Sequence, residues 1–175
     1  MTKFLLIRHG ETAWHLPSSK GAKGWGADLA PLTTTGINQI KNIMPDICKW
    51  SPELLLTSPT TRTLSSCALI SNELRIPFEV EFDLHEWIPD LRLTWESVDE
   101  VKTAYQEMVS LNGEWPEGES RDWEPLSSVR QRVTEVLEKY LSNLKVAVVC
   151  HELVISSLTG QNPRLAESIE YTYEA

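Results

Sequence analysis

Apolar residues along the chain form two alternating patterns: short continuous runs and stripes at helical spacing. Phe4-Leu5-Leu6-Ile7 is a continuous run that stops at Arg8, as expected of a strand covered on both faces. Between Thr33 and Ile47, the residues Ile37, Ile40, Met44 and Ile47 recur at steps of three and four, which predicts a helix kinked or interrupted at Pro45. Leu54-Leu55-Leu56 predicts a second buried strand. Ser58 as N-cap with Pro59 at the first helical position then opens a helix running to about Leu74. Phe78 to Phe82 alternates apolar and acidic residues and reads as a half-buried strand near a sheet edge. Ser97 with Glu100, and Ser128 with Gln131, have capping-box spacing. The first precedes a stripe of Val98, Val101, Tyr105 and Met108, the second a stripe from Val129 to Leu144. Val146 to Cys150 is a third buried strand, followed by a short helix from about Glu152 to Gly160.

Buried strands alternating with helices predict an α/β fold, a three-layer α/β/α sandwich around a mostly parallel central sheet. At 175 residues the expectation is a single domain over 1–175. Trp14–Leu32 and Asn112–Pro125 lack periodicity and read as long loops, the usual carriers of function.

Composition narrows the partners. A net charge of −9 argues against a nucleic-acid partner, which requires a basic face, but leaves room for a small anion held by a few local arginines. No apolar stretch is long enough for a membrane span or a signal-peptide core, so no membrane partner is expected. Three widely spaced cysteines form no disulfide framework, and a cytoplasmic location is the expectation. The four histidines lack paired ligand spacing, so no metal and no cofactor are expected.

In open parallel sheets, ligands bind beyond the carboxyl ends of the strands. The first strand ends in Arg8-His9-Gly10-Glu11-Thr12, the second opens a helix whose first turn holds Arg62, and the third ends in His151. Two histidines and two arginines thus meet at one end of the sheet. Arg62 faces the positive end of a helix dipole, an arrangement that favours a bound anion. Successive strand residues point to opposite faces, so Gly10 is expected to supply the turn that brings Arg8 and His9 together.

With these residues in place, the chain resembles the histidine phosphatase superfamily, which includes the cofactor-dependent phosphoglycerate mutases. The resemblance is carried in order by Arg8-His9-Gly10-Glu11-Thr12, then Pro31-Leu32-Thr33 with Gly36 and Gln39, then Ser58-Pro59 with Arg62. It continues through Leu84-His85-Glu86, Gly118-Glu119-Ser120 with Arg132, and Val148-Val149-Cys150-His151. It implies a phosphomonoesterase acting on a small phosphorylated metabolite through a phosphohistidine on His9, with Arg8, Arg62 and His151 around the phosphoryl group. Glu86 is implied as acid and base, with Asp83 and Asp90 as alternatives. Thr12 and His15 join the phosphate- and substrate-binding set. Glu152 stands where the family usually has glycine, and is expected to reduce affinity for heavily phosphorylated substrates. His15 stands where many members have asparagine. A mutase would use the same groups, but the chain lacks the long insertion with which mutases of this family enclose their substrate. An inactive phospho-ligand or protein-binding module is the remaining alternative.

Overall fold

The computed structural model describes residues 1–173. A five-stranded sheet forms its centre, built from β1 (Lys3–Arg8), β2 (Leu54–Thr57), β3 (Phe78–Val80), β4 (Lys145–Cys150) and β5 (Ser168–Thr172) in the order β3-β2-β4-β1-β5. The first four strands are parallel and β5 runs antiparallel to β1. The helices are α1 (His15–Ser18), α2 (Thr34–Trp50), α3 (Thr61–Leu74), α4 (Val98–Ser110), α5 (Leu126–Glu138) and α6 (Glu152–Thr159). None of them is long and apolar enough to cross a membrane.

The alternation of each strand assigns the two cores. Phe4 and Leu6 of β1 join Val146 and Val148 of β4 and pack against Val129, Val133 and Leu137 of α5 and Val154 and Ile155 of α6. Leu5, Ile7, Ala147 and Val149 point the other way and meet Ile40 and Ile47 of α2 and Cys67 and Ile70 of α3. Helices therefore cover both faces, which is the expected three-layer α/β/α sandwich.

Several local expectations give way to tertiary context. α2 runs through Pro45 without interruption to Trp50. α3 begins two residues later than its Ser-Pro signal, with Thr60 as its N-cap, because the Ser58 hydroxyl is engaged by the His151 ring. α5 starts at Leu126, where Glu114 accepts hydrogen bonds from Ser127 N and Oγ, so Ser128 is not its cap. Ser97 does cap α4, accepting from Glu100 N, while the Glu100 carboxylate reaches back to Ser97 Oγ and Glu96 N, a variant of the capping box. Yet the apolar stripe of α4 is only partly buried: Met108 is enclosed while Val98 and Tyr105 remain exposed. β5 has no counterpart among the predicted elements, although Ile169, Tyr171 and Tyr173 alternate and lean on the first core. The long loop 14–32 holds α1 and a 3₁₀ segment, Gly24–Leu29.

Candidate active site

Parallel register sets the frame. Arg8 pairs with Cys150 and Thr57 with Val149, so β1, β4 and β2 stop at nearly one level. The next residues are His9, His151 and Ser58. His9 N donates to Cys150 O at 3.2 Å, and Ser58 N to Val149 O at 3.1 Å. The two imidazoles stand edge to face with centroids 5.3 Å apart.

Arg62 reaches between them from the first turn of α3. Its Nε donates to His9 Nε2 at 3.2 Å, one terminal amine donates to His151 Nδ1 at 3.2 Å, and the other meets Asp28 Oδ1 at 2.5 Å. Trp14 lies over its guanidinium, 4.9 Å from carbon to ring centroid.

These contacts fix the tautomers, because guanidinium nitrogens only donate and carbonyl oxygens only accept. His9 Nδ1 is 2.7 Å from Gly10 O and must carry the proton, leaving a lone pair on Nε2. His151 Nδ1 accepts from Arg62, so its Nε2–H donates to Ser58 Oγ at 2.7 Å. Burial, and then the Arg62 charge, press the His9 pKa down to about 3. The same causes hold His151 well below the usual histidine range. Both rings are therefore neutral at physiological pH. The family resemblance implies His151 as a donor to the phosphoryl group; here it faces Arg62 with a lone pair.

The turn after β1 has a different cause from the one expected. Gly10 does not take a left-handed conformation. A Cβ there would lie 2.4 Å from Gly36 O, and a Cβ on Gly36 would lie 2.2 Å from Glu11 O. Two backbones pass in near contact, and the segment from Pro31 to Gln39 buttresses that approach. Thr33 caps α2 through Gly36 N and donates to Glu11 Oε1 at 2.6 Å, while Gln39 accepts from Glu11 N.

Arg8 is directed toward α6 and the segment after it, with its charge still felt at His9 and Glu86. Its amines reach Glu152 Oε2 at 2.6 Å and Pro163 O at 2.8 Å, and its buried Nε has no protein partner among the described residues. Thr12 is buried behind His9, with Oγ1 3.4 Å from both Nδ1 and Gly10 O, and so contacts the ring and not an open pocket. His15 is exposed at the head of α1, and no hydrogen bond joins its ring to the pocket among the described residues. Of the seven residues expected from sequence, the structure joins His9, His151 and Arg62 directly, sets Arg8 and Glu86 within electrostatic reach of them, puts Thr12 behind His9 and leaves His15 outside.

Glu86 lies on the loop after β3. Burial raises its pKa, against the Trp87 N–H at 2.9 Å and the charges of Arg62, Arg8 and Arg132. The loop is clamped by Arg132 of α5, which donates to the carbonyls of Asp83, His85 and Glu86 and pairs with Glu124. Glu124 in turn accepts from Ile88 N, and its carbonyl accepts from Trp87 Nε1. The sequence motif groups Glu119 with Arg132; in the structure Glu119 pairs with Arg121 on the surface. Asp90, an alternative acid, receives Thr94 Oγ1 and Arg92 and is held far below the carboxylate range, so it shapes the loop. Cys150 points into the first core, where burial pushes its thiol up.

Sequence reasoning misses Asp28 and the Arg132–Glu124 pair, since neither has a local signal. Arg132→Met is expected to cost about 3–5 kcal/mol in denaturant unfolding, because it leaves the nearly buried Glu124 carboxylate unpaired. An unchanged unfolding midpoint is the contrary result. No group of three or more potential metal-ligating side chains occurs among the described residues.

A cavity of about 340 Å³ adjoins Glu86, walled by Trp87, Tyr105, Leu153 and Glu152, with Lys102 at its rim. The outward stripe of α4 thus forms one of its walls.

Comparison with known proteins agrees with this architecture. The chain is 26% identical over 172 residues, 94% of its length and 81% of the relative's, to an uncharacterized phosphatase, PhoE, of Bacillus subtilis (strain 168). Its fold matches Bacillus stearothermophilus YhfR with a TM-score of 0.76 at 19% identity, covering 99% of this chain and 92% of that one. It also matches a mycobacterial glucosyl-3-phosphoglycerate phosphatase with a TM-score of 0.74 at 15% identity, covering 97% and 89%. The family model of the histidine phosphatase superfamily (branch 1) matches residues 4–167. On that match, spanning nearly the whole chain, the protein belongs to the histidine phosphatase superfamily, branch 1.

Proposed function

We propose that the protein hydrolyses a small phosphomonoester through a covalent phosphohistidine on His9. The observation that carries this reading is the His9 ring: its Nδ1–H is pinned to Gly10 O while the unprotonated Nε2 accepts from Arg62 Nε, a donor that a phosphoryl group can draw away. A neutral imidazole fixed in this tautomer is a ready nucleophile. Phosphatases among its relatives support the same chemistry.

In the first step, His9 Nε2 bonds to phosphorus as the bond from phosphorus to the ester oxygen breaks, and Glu86 delivers its proton to that oxygen. In the second, water attacks phosphorus, Glu86 takes up its proton, and the phosphorus–nitrogen bond breaks to restore His9. Phosphoryl transfer asks mainly for positioning and charge stabilisation, which Arg62 and Arg8 supply. A bound phosphoryl group also reverses the field on His151 and favours its protonated, donating form.

Before substrate binds, Arg62 is neutralised by Asp28. Asp28→Asn is expected to destabilise the ligand-free protein and to tighten inhibition by inorganic phosphate about tenfold, about 1.4 kcal/mol. Thermal unfolding with and without phosphate checks this; an equal phosphate-induced shift in both proteins contradicts it.

The function itself is tested with a ³²P-labelled aryl phosphate in the absence of metal. Release of phosphate, with an acid-labile and alkali-stable label trapped on the protein, is the expected result. Transfer confined to exchange between phosphoglycerate positions makes the protein a mutase. Binding without turnover makes it a phospho-ligand module.

A further inference from the structure

Glu152 belongs to two neighbourhoods at once: its carboxylate pairs with Arg8, and its side chain lines the cavity beside Glu86. It is the first residue of α6, and a carboxylate there is stabilised by the helix dipole without needing any ligand. Two observations go further. Its Oε2 meets Arg8 at 2.6 Å with both side chains largely shielded, which cancels the charge of one pocket arginine. The same side chain also lines the cavity, together with Glu86, Trp87, Tyr105 and Leu153. The lining of that cavity therefore carries two carboxyl groups, apolar and aromatic side chains, one amide and a single cation. The cation on its perimeter, Lys102, is solvated and shared with Asp99 at 3.4 Å, so its charge is largely screened.

Resting on the phosphatase reading above, we propose that Glu152 sets the charge class of the alcohol this site accepts: a phosphomonoester whose alcohol is uncharged and has an apolar face. An alcohol bearing a carboxylate or a second phosphate is turned away. A phosphoryl group on His9 directs the ester oxygen toward Glu86, and the rest of the alcohol then occupies the adjoining cavity. An anionic substituent there meets Glu152 in place of a free arginine, whereas a neutral substituent can rest on Trp87 and Tyr105. Removing the carboxylate leaves Arg8 as an unbalanced cation at the same wall, so the preference reverses.

The test uses two nearly isosteric esters, 4-carbamoylphenyl phosphate and 4-carboxyphenyl phosphate, and compares the ratio of their kcat/KM values. The wild-type protein should favour the carbamoyl ester by about tenfold, the size expected of one partly screened like-charge contact. Glu152→Gln should bring the ratio to one or invert it, while Glu152→Asp retains the preference. A loss of fold or a general change in rate moves both esters together and leaves the ratio alone. Should Glu152→Gln fail to fold, the inhibition constants of the matching benzylphosphonates on the wild-type protein give the same reading. The proposal is overturned by equal constants for that pair, by a ratio that Glu152→Gln leaves unchanged, or by one that moves with Lys102→Ala instead. If neither ester is hydrolysed and no phosphohistidine forms, the phosphatase reading itself fails. Hydrolysis of both esters at equal rates overturns only the role of Glu152.

Discussion

His9→Ala is expected to lower kcat/KM on any phosphomonoester by at least about 10⁴-fold and to abolish the trapped phosphoenzyme. No neighbour can take over the attack. His151 is fully enclosed with its Nε2–H given to Ser58, and Cys150 is a buried thiol in the first core. Residual turnover within tenfold of wild type would move the nucleophile elsewhere. The same variant should change acid stability. The folded protein keeps His9 neutral down to about pH 3, whereas an unfolded histidine takes up its proton near 6.5. Across that window the unfolded chain binds more protons, so stability falls as pH drops from about 6.5 toward 3. Removing the ring removes its share of that loss, and the slope of unfolding free energy against pH should flatten in His9→Ala.

The second large effect is expected at Glu86. Glu86→Gln should slow hydrolysis of an alkyl phosphate by about 10²–10⁴-fold, the usual span for a lost general acid–base. For an aryl phosphate the first step needs little protonation of the leaving oxygen, so the phosphoenzyme should form readily and then persist. A burst of one phenol per protein followed by slow turnover is the signature, and unchanged steady-state rates on both esters would remove Glu86 from the mechanism. Stability should move the other way. Burial raises the folded pKa of Glu86, so the folded state holds a proton that the unfolded chain has already lost. Stability then declines as pH rises from the ordinary glutamate value through the raised one. Glutamine escapes that decline, so Glu86→Gln should be the more stable protein at neutral pH while being much the poorer catalyst.

Sheet and pocket are legible in the sequence for the same reason. Phe4 to Ile7, Leu54 to Leu56 and Val146 to Cys150 are continuous runs because both sheet faces are covered, and the residues just past such runs lie at the ligand-binding end. His9, His151 and Arg62 can therefore be grouped from the sequence alone. Groups that act through tertiary contacts are not legible in this way. Asp28 reaches Arg62 from a 3₁₀ segment without periodicity, and Glu124 reaches Arg132 from an irregular loop. Ser58 has the spacing of a helix cap, yet its hydroxyl serves His151 and the helix begins at Thr61. The apolar stripe of α4 is divided, with Met108 in the core and Val101 and Tyr105 bordering the cavity, because spacing identifies a face but not what lies opposite it.

The position of β1 in the sheet also governs when the site can exist. Its neighbours are β4 and β5, so Lys3 pairs with Lys145 and with Thr172, and Ala166 N holds the carbonyl of His9. Among the five strands β1 is made before its sheet neighbours, and it has no partner until β4 and β5 have emerged. Pairing across such a separation carries a large loop-closure cost and is slow to form. Until then an apolar strand waits with both hydrogen-bonding edges open, a species prone to association during synthesis. Chains truncated before Ala166 would retain His9, Arg62 and Glu86 but lack both the amide that holds the His9 carbonyl and the strand that covers the outer edge of β1. Emergence of the segment from β4 through β5 during translation is thus what completes the frame around His9.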